Sequence, residues 1–309
     1  MFFQALWYKQ NNKENIKNWF TKNHKIEERS IEPKITWIGH STFLIQIGGI
    51  NIITDPVFGN LAGLFKRILP PGLDINSLPP IDFVLLSHNH RDHMDSRSLH
   101  MLRKNPGITF LVPQGDKQWF AKRGFSRTIE LNWWDKRTFT SVYDGITNLE
   151  FFFLPAFHWS GRGIFDRNKS LWGSWLIRCN DKTIYFGGDT AYSSHFKNIQ
   201  QEFSSIDIAI MPIGPCEPRP WLKNSHIGPE EAGQAFLELN AKHFIPMHWG
   251  TYHFGVEDVF LPIELLQKWW DDQKMENKTL HIVKVGQQIT PEIQKPFISP
   301  TIQQPYIQF

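Results

Sequence analysis

Val84-Leu85-Leu86-Ser87-His88-Asn89-His90-Arg91-Asp92-His93 is the stretch on which the reading of the whole chain turns. The apolar run 83–86 has the length and composition of a short buried strand. It stops abruptly, and the next residues hold three histidines and a carboxylate at positions 88, 90, 92 and 93. Packing on a helix or strand face gives no reason for that composition, and four hydrated groups at a strand end are costly to bury unpaired. Neutral imidazoles and a carboxylate at this spacing suit a borderline cation such as Zn²⁺. Alternate residues point the same way, so His88 and His90 can grip one ion. Asp92 and His93, past the turn, face a second. A polar loop with scattered histidines is the plainer reading, and the strand-terminal H-x-H-x-D-H pattern argues against it.

The rest of the chain is ordinary globular sequence. Its 309 residues are 41% hydrophobic and 20% charged, enough to bury a sizeable core. The net charge of +3 is too mild to point to nucleic acid. No segment approaches the ~18 to 20 continuous apolar residues that a membrane span needs. The opening Met1-Phe2-Phe3-Gln4-Ala5-Leu6-Trp7 runs into Asn/Lys-rich sequence, unlike a secretory signal with charge first and a longer apolar core. Two cysteines, Cys179 and Cys216, make no disulfide scaffold. A reduced, cytoplasmic protein is the expectation. Most of the 13 tryptophans read as core filling, although an indole is also stable at a lipid–water boundary.

In chain order, residues 1–33 read as a polar N-terminal arm with a helix over 15–22, residues 34–290 as one domain, and 291–309 as an extended Pro/Gln-rich tail. Strands are expected over 35–38, 42–47, 51–54, 83–86, 109–112, 128–131, 138–142, 151–155, 171–179, 183–186, 206–211, 244–247 and 280–283. Helices are expected over 96–104, 116–123, 195–201, 229–240 and 262–272. The loop 57–80 mixes Leu61, Leu64, Phe65, Ile68 and Leu69 with Lys66 and Arg67. It reads as a cap over the core, with an anionic-bilayer patch as the second reading. Mostly strands in each half, with helices inserted, imply two mixed sheets flanked by helices, an α+β architecture.

Four of these strands, ending at Leu86, Leu154, Phe186 and Met247, run into a metal-competent residue. The candidate ligands are His88, His90, Asp92, His93, His158, Asp189 and His248. Seven exceed one tetrahedral site. Two ions sharing Asp189 use them economically, with three terminal ligands each and an open position on both, as catalytic sites require. A satisfied core or surface residue is the default for His158, Asp189 or His248 alone. Their common place at strand ends overrides it.

With those residues quoted, the chain resembles the metallo-β-lactamase superfamily, whose H-x-H-x-D-H signature stands here as 88–93. More narrowly it is similar to the N-acylphosphatidylethanolamine-hydrolysing phospholipase D (NAPE-PLD-like) family. The narrower likeness is carried by Gly39-His40-Ser41-Thr42, Thr54-Asp55-Pro56, Leu78-Pro79-Pro80-Ile81-Asp82, Glu130-Leu131-Asn132-Trp133-Trp134, Leu171-Trp172-Gly173-Ser174-Trp175, Gly188-Asp189-Thr190, Pro212-Ile213-Gly214 and His248-Trp249-Gly250-Thr251. It extends over about 35–285. The resemblance implies an αββα sandwich with a binuclear zinc site. His88, His90 and His158 would hold one Zn²⁺, Asp92, His93 and His248 the other, and Asp189 would bridge, with Asp55 orienting ligands from behind. His226 falls where relatives place a further active-site histidine, as a proton donor or a stabiliser of phosphoryl oxygens. A plain helix-start residue is the alternative for it. Asp92, Asp189 and His226 are the residues expected to carry the chemistry.

The activity implied is phosphodiester hydrolysis of N-acylphosphatidylethanolamine to phosphatidic acid and an N-acylethanolamine. The implied partners are a phospholipid or other phosphodiester, a membrane surface touched peripherally, and a second copy of the chain as a homodimer. Arg91 stands where an aromatic residue is expected. It adds positive charge beside the ligands, for an anionic substrate or simply for solvent. The alternative within enzymes is a lactonase or soluble phosphodiesterase of the same fold on a small cytosolic substrate. A di-iron oxidoreductase is a different class, but these residues suggest no flavin-binding partner domain. A scaffold without turnover predicts a broken ligand set, and all seven positions are filled.

Overall fold

The structure is a computed structural model that describes residues 13–22, 26–61, 65–141, 143 and 147–292. Expectations for 1–12, for Leu64, for Val142 and for the tail beyond 292 lie outside the described residues. Within them the chain forms two seven-stranded mixed sheets.

The first sheet contains β1 (Lys34–Gly39), β2 (Thr42–Ile47), β3 (Ile50–Thr54), β4 (Phe83–Leu85), β5 (Thr109–Pro113) and β6 (Thr128–Leu131). The second contains β7 (Lys136–Ser141), β8 (Thr147–Pro155), β9 (Gly173–Cys179), β10 (Lys182–Phe186), β11 (Ile206–Pro212), β12 (Ala241–Met247) and β13 (Thr279–Leu280). β14 (Gln288–Ile289) crosses back to pair with β1. Both sheets follow one scheme. Antiparallel neighbours come first, β1-β2-β3 and β7-β8-β9-β10, and then a parallel run, β3-β4-β5-β6 and β10-β11-β12-β13.

Burial explains why the central strands read as continuous apolar runs rather than alternating ones. In β4, Phe83 and Leu85 face the core that both sheets share, while Val84 and the following Leu86 face a second core. That second core is closed by Leu99 and Leu102 of α2 (Ser96–Leu102) and Phe120 of α3 (Lys117–Ala121). Each such side chain, fully buried, stabilises by about 1.5 to 3 kcal/mol relative to exposure. Across the second sheet, α6 (Pro229–Glu238) lies on β11 and β12, and both α4 (His195–Phe203) and α7 (Leu261–Gln273) pack against α6. Helix, sheet, sheet, helix is the expected αββα order.

Boundaries moved where tertiary contacts took over. The first helix, α1, runs Lys13–Asn18 rather than 15–22. The chain leaves it because Phe20 bridges to Val285 and Trp19 sets its ring 5.0 Å from Trp249. The strand expected over 280–283 shortens to Thr279–Leu280, which pairs with His243 and Phe244 of β12. A four-residue helix, α5 (Arg219–Leu222), and β14 were not anticipated.

The loop 57–80 is a cap in its described part. Val57, Leu61, Ile68, Leu69 and Leu73 are buried. Arg67, only 5% exposed, donates to the carbonyls of Leu69 (3.1 Å), Val57 (2.7 Å) and Ile38 (3.1 Å). A guanidinium with several donors in a rigid fork suits this tying of a strap to a strand end.

Candidate metal centre

Strand ends of both sheets meet at one edge of the sandwich. There β1 delivers His40, β3 delivers Asp55, and β4 leads into the 88–93 segment; β8, β10 and β12 lead to His158, Asp189 and His248. Direct bonds lock the edge. Trp175 Nε1 donates to the Leu86 carbonyl (2.9 Å) and Gly173 N to that of Ser87 (2.9 Å). Thr190, beside Asp189, gathers two further segments: its hydroxyl accepts from Phe157 N (2.9 Å) and its carbonyl from Ile227 N (2.7 Å). Gly188 must be glycine. Its φ is +58°, and a Cβ there would meet Ser87 Cβ at 2.5 Å. His40, Asp55 and His248 also carry positive φ (57°, 31° and 65°), a conformation that non-glycine residues adopt at an energetic cost and that clusters at functional sites.

All seven candidate ligands converge. His88, His90 and His158 present ligand atoms to one point, with His88 Nε2 2.8 Å and His158 Nε2 3.2 Å from His90 Nδ1. Asp92, His93 and His248 present theirs to a second, where His93 Nε2 and His248 Nε2 lie 3.3 Å apart. Asp189 spans the two, with Oδ1 3.1 Å from His248 Nε2 and Oδ2 3.3 Å from His93 Nε2 and 3.8 Å from His158 Nε2. His226 adjoins the cluster, its Nδ1 3.7 Å from Asp189 Oδ2.

Bonds behind the ligands select their tautomers. One proton assignment satisfies the chain: His88 Nδ1–H donates to Ser87 Oγ (2.9 Å), Ser87 Oγ–H to Asp55 Oδ2 (2.5 Å), and His93 Nδ1–H to the same oxygen (2.7 Å). His158 Nδ1–H donates to the Ser225 carbonyl (2.7 Å). In the neutral form of each ring this leaves the Nε2 lone pair turned inward, the arrangement that orients metal-bound imidazoles. His40 Nε2–H donates to Asp92 Oδ2 (3.1 Å).

The electrostatics call for a cation. Burial holds His88 well below the usual imidazole range and His90 at about 4, with neighbouring imidazoles adding to the effect. Burial likewise takes His40 to about 3. His93 goes the other way. Burial opposes its charge, but Asp189, Asp92 and Asp55 outweigh it and raise its pKa well above the usual range. Burial would raise the pKa of Asp189, yet His248 and His93 hold it well below the ordinary carboxylate range. Inward-facing nitrogens around 3 Å apart, a buried Asp189 Oδ1 with no hydrogen-bond donor, and a proton drawn onto a fully buried imidazole describe a site that divalent metal fits.

A cavity of about 630 Å³ opens over this cluster. His90, Asp92, Asp189, His226 and His248 line it on the cluster side, Leu61, Phe65, Trp159 and Phe254 form an apolar wall, and Arg91 and Arg162 also border it.

The family described as a beta-lactamase superfamily domain matches residues 50–249. The chain belongs to the metallo-β-lactamase superfamily. Within it, the chain is 37% identical over 238 residues to a Caenorhabditis elegans protein named N-acyl-phosphatidylethanolamine-hydrolyzing phospholipase D 1, covering 73% of this chain and 66% of that one. It is 32% identical over 248 residues to the mitochondrial protein of that name from Saccharomyces cerevisiae, covering 76% and 52% respectively. The chain thus spans between about half and two thirds of these relatives' length. Among solved structures, a metallo hydrolase from the archaeon Ignicoccus hospitalis shares the fold with TM-score 0.63 at 22% identity, over 85% of this chain and 99% of that one.

Two contributors to this metallo-β-lactamase-type site were not legible as such. His40 had only its Gly-His-Ser turn as a signal, and Ser87 only its place before His88. Both act through atoms brought close by the fold.

Proposed function

We propose that the chain is a binuclear zinc phosphodiesterase that cleaves N-acylphosphatidylethanolamine between phosphate and headgroup, releasing phosphatidic acid and an N-acylethanolamine. The observation that carries this reading is the lining of the cavity: carboxylates and imidazoles on one side, an apolar wall on the other, and Arg91 and Arg162 among the bordering residues of one space of about 630 Å³. The names of the nematode and yeast relatives agree with it. His88, His90 and His158 would hold one ion, Asp92, His93 and His248 the other, and Asp189 both. Zinc bound there supplies Lewis acidity toward a phosphoryl oxygen and a water made nucleophilic at neutral pH.

The chain's own groups do the rest. Burial depresses the His226 imidazole to about 3, so it is neutral near pH 7. Of its two suggested roles, that leaves hydrogen-bond donation to a phosphoryl oxygen. Among the described residues neither Arg91 nor Arg162 forms an ion pair with a carboxylate. They favour a phosphodiester anion over a neutral ester or lactone. Leu61, Phe65, Trp159 and Phe254 offer an apolar surface to acyl chains.

Membrane contact is proposed to be peripheral. No helix of the described residues is long and apolar enough to cross a bilayer. Ile164 and Phe165, 89% and 86% exposed, continue the Gly161-Arg162-Gly163 segment that lines the cavity, and Trp221 is 80% exposed on α5.

The test is mass spectrometry of products after zinc-loaded protein meets N-acylphosphatidylethanolamine in mixed micelles, with a lactone and a cyclic phosphodiester in parallel. Phosphatidic acid and N-acylethanolamine should form, and Asp189→Ala should cut turnover by orders of magnitude with the fold retained. Faster turnover of the lactone would overturn the proposal.

A further inference from the structure

Three candidate ligand histidines, His88, His93 and His158, have a visible partner on the ring nitrogen that faces away from the site. His90 and His248 have none among the described residues, and only His248 faces a second unpartnered side chain across a cavity. The His248 Nδ1 is buried and finds no hydrogen-bond partner among the described residues. Glu257 shows the matching deficit: its carboxylate accepts from Cys216 N at Oε1 (2.7 Å) and neighbours the Cys216 thiol, while Oε2 is buried with no hydrogen-bond partner among the described residues. A buried unsatisfied polar group costs about 1 to 3 kcal/mol, so two in one neighbourhood demand an explanation.

Both residues line the same small cavity, about 20 Å³, together with Gly214, Trp249, Tyr252 and Gly255. That volume exceeds the ~10 to 15 Å³ that one water requires. Gly255 makes the room, because a Cβ there would collide with Glu257 Oε2. Cys216 N and the bond from Val256 N to the Glu217 carbonyl (3.2 Å) hold the 255–257 segment against this wall.

We propose that Glu257 is a positioning residue for the metal centre, accepting through one buried water the proton of His248 Nδ1 and so presenting the His248 Nε2 lone pair to the site. The pattern is the one Asp55 sets for His93 directly, and it rests on the reading of His248 as a ligand. Glu257 belongs to neither ligand group. It acts only by fixing the tautomer and angle of one imidazole, which makes its effect unequal between the two ions. Supporting groups of this kind change metal affinity by about 10- to 100-fold.

The experiment uses the full chain with Zn²⁺ and histidine-labelled protein. In metal-free wild type, the ¹⁵N shifts of His248 should report a proton on Nδ1. Glu257→Ala should move the tautomer toward Nε2–H and weaken one Zn²⁺ by about 10- to 100-fold in chelator competition, leaving the other unchanged. Glu257→Gln, which still accepts from water, should restore most of the affinity. Gly255→Ala, which displaces the carboxylate without removing it, should fall between. A His248 tautomer unmoved by Glu257→Ala overturns the proposal. So does equal weakening of both ions, or a Gln variant no better than Ala. Wild type that keeps the Nδ1–H tautomer but binds no Zn²⁺ would instead overturn the zinc reading and leave the relay standing.

Discussion

Asp116 carries a carboxyl group that the fold buries to 2% exposure, and among the described residues it forms no salt bridge. Its Oδ1 accepts from Asn89 Nδ2 (2.9 Å) and Ser170 Oγ (2.8 Å), while Oδ2 has no hydrogen-bond partner among the described residues. Asn89 stands between His88 and His90 and accepts from Gly161 N (2.8 Å), so Asp116 braces the ligand segment from beneath. Burial lifts its pKa to about 6, against the pull of those two bonds and of Arg162. The sign follows from proton counting. Below about pH 4 both folded and unfolded chains hold the proton. Between about 4 and 6 the unfolded chain releases it first, the fold binds more protons, and stability falls as pH rises. The loss is on the order of 2 to 3 kcal/mol and complete above about pH 6. In urea unfolding of metal-free protein, wild type minus Asp116→Asn should show this decline between pH 4 and 6. A difference that is flat across that interval would mean the carboxyl ionises freely in the fold.

At the scale of elements, the segment 161–167 is the least economical feature of the surface unless it meets something apolar. Asp166 Oδ1 accepts from Arg162 N (3.1 Å) and Gly163 N (2.8 Å), a compact turn that holds Ile164 and Phe165 out at its tip. Arg162 anchors the base by donating to the carbonyls of Asn89 (2.9 Å) and Met94 (2.6 Å), and Arg91 donates to the Arg162 carbonyl (3.0 Å). An apolar tip over basic residues suits an anionic bilayer. Ile164→Ser with Phe165→Ser should weaken co-sedimentation with phosphatidylserine-containing vesicles by about tenfold, with hydrolysis of a soluble phosphodiester unchanged. Equal sedimentation of both proteins would remove the tip from any membrane role. The same scale explains what could be read in advance. β2 has the expected ends because continuous burial leaves a mostly apolar run of the right length between turn residues, and β6, buried only at its two ends, also keeps its expected bounds. α5 and β14 are too short for any periodicity, and their bounds depend on neighbours far away in sequence. The convergence of the candidate ligands was legible because H-x-H-x-D-H concentrates chemistry that packing does not need. Glu257 was not, since its significance arises only where Gly255 and His248 share a cavity wall.

For the whole molecule, the centre is a joint between sheets. Asp55, His88 and His93 come from the first sheet's edge, and His158, Asp189 and His248 from the second's. Without a cation the joint is held by a protonated His93 among three carboxylates and by imidazoles that face one another. A divalent ion replaces that proton and converts the nitrogen contacts into bonds that the unfolded chain cannot organise, so it binds the fold preferentially. At a free concentration 1,000 times Kd, one ion adds about 4 kcal/mol. For a chain of 309 residues, each kcal/mol moves Tm by roughly 2 °C. Stripping with a chelator should therefore lower Tm by on the order of 5 to 10 °C per ion lost. Zinc should restore it, and Asp189→Ala should abolish most of the response because that carboxylate touches both ligand groups. Scanning calorimetry of stripped, reloaded and Asp189→Ala protein decides the matter. Coincident transitions in all three would mean that the sheets need no ion to hold their shared edge together, and the cluster would then be a hydrogen-bonded core instead of a metal centre.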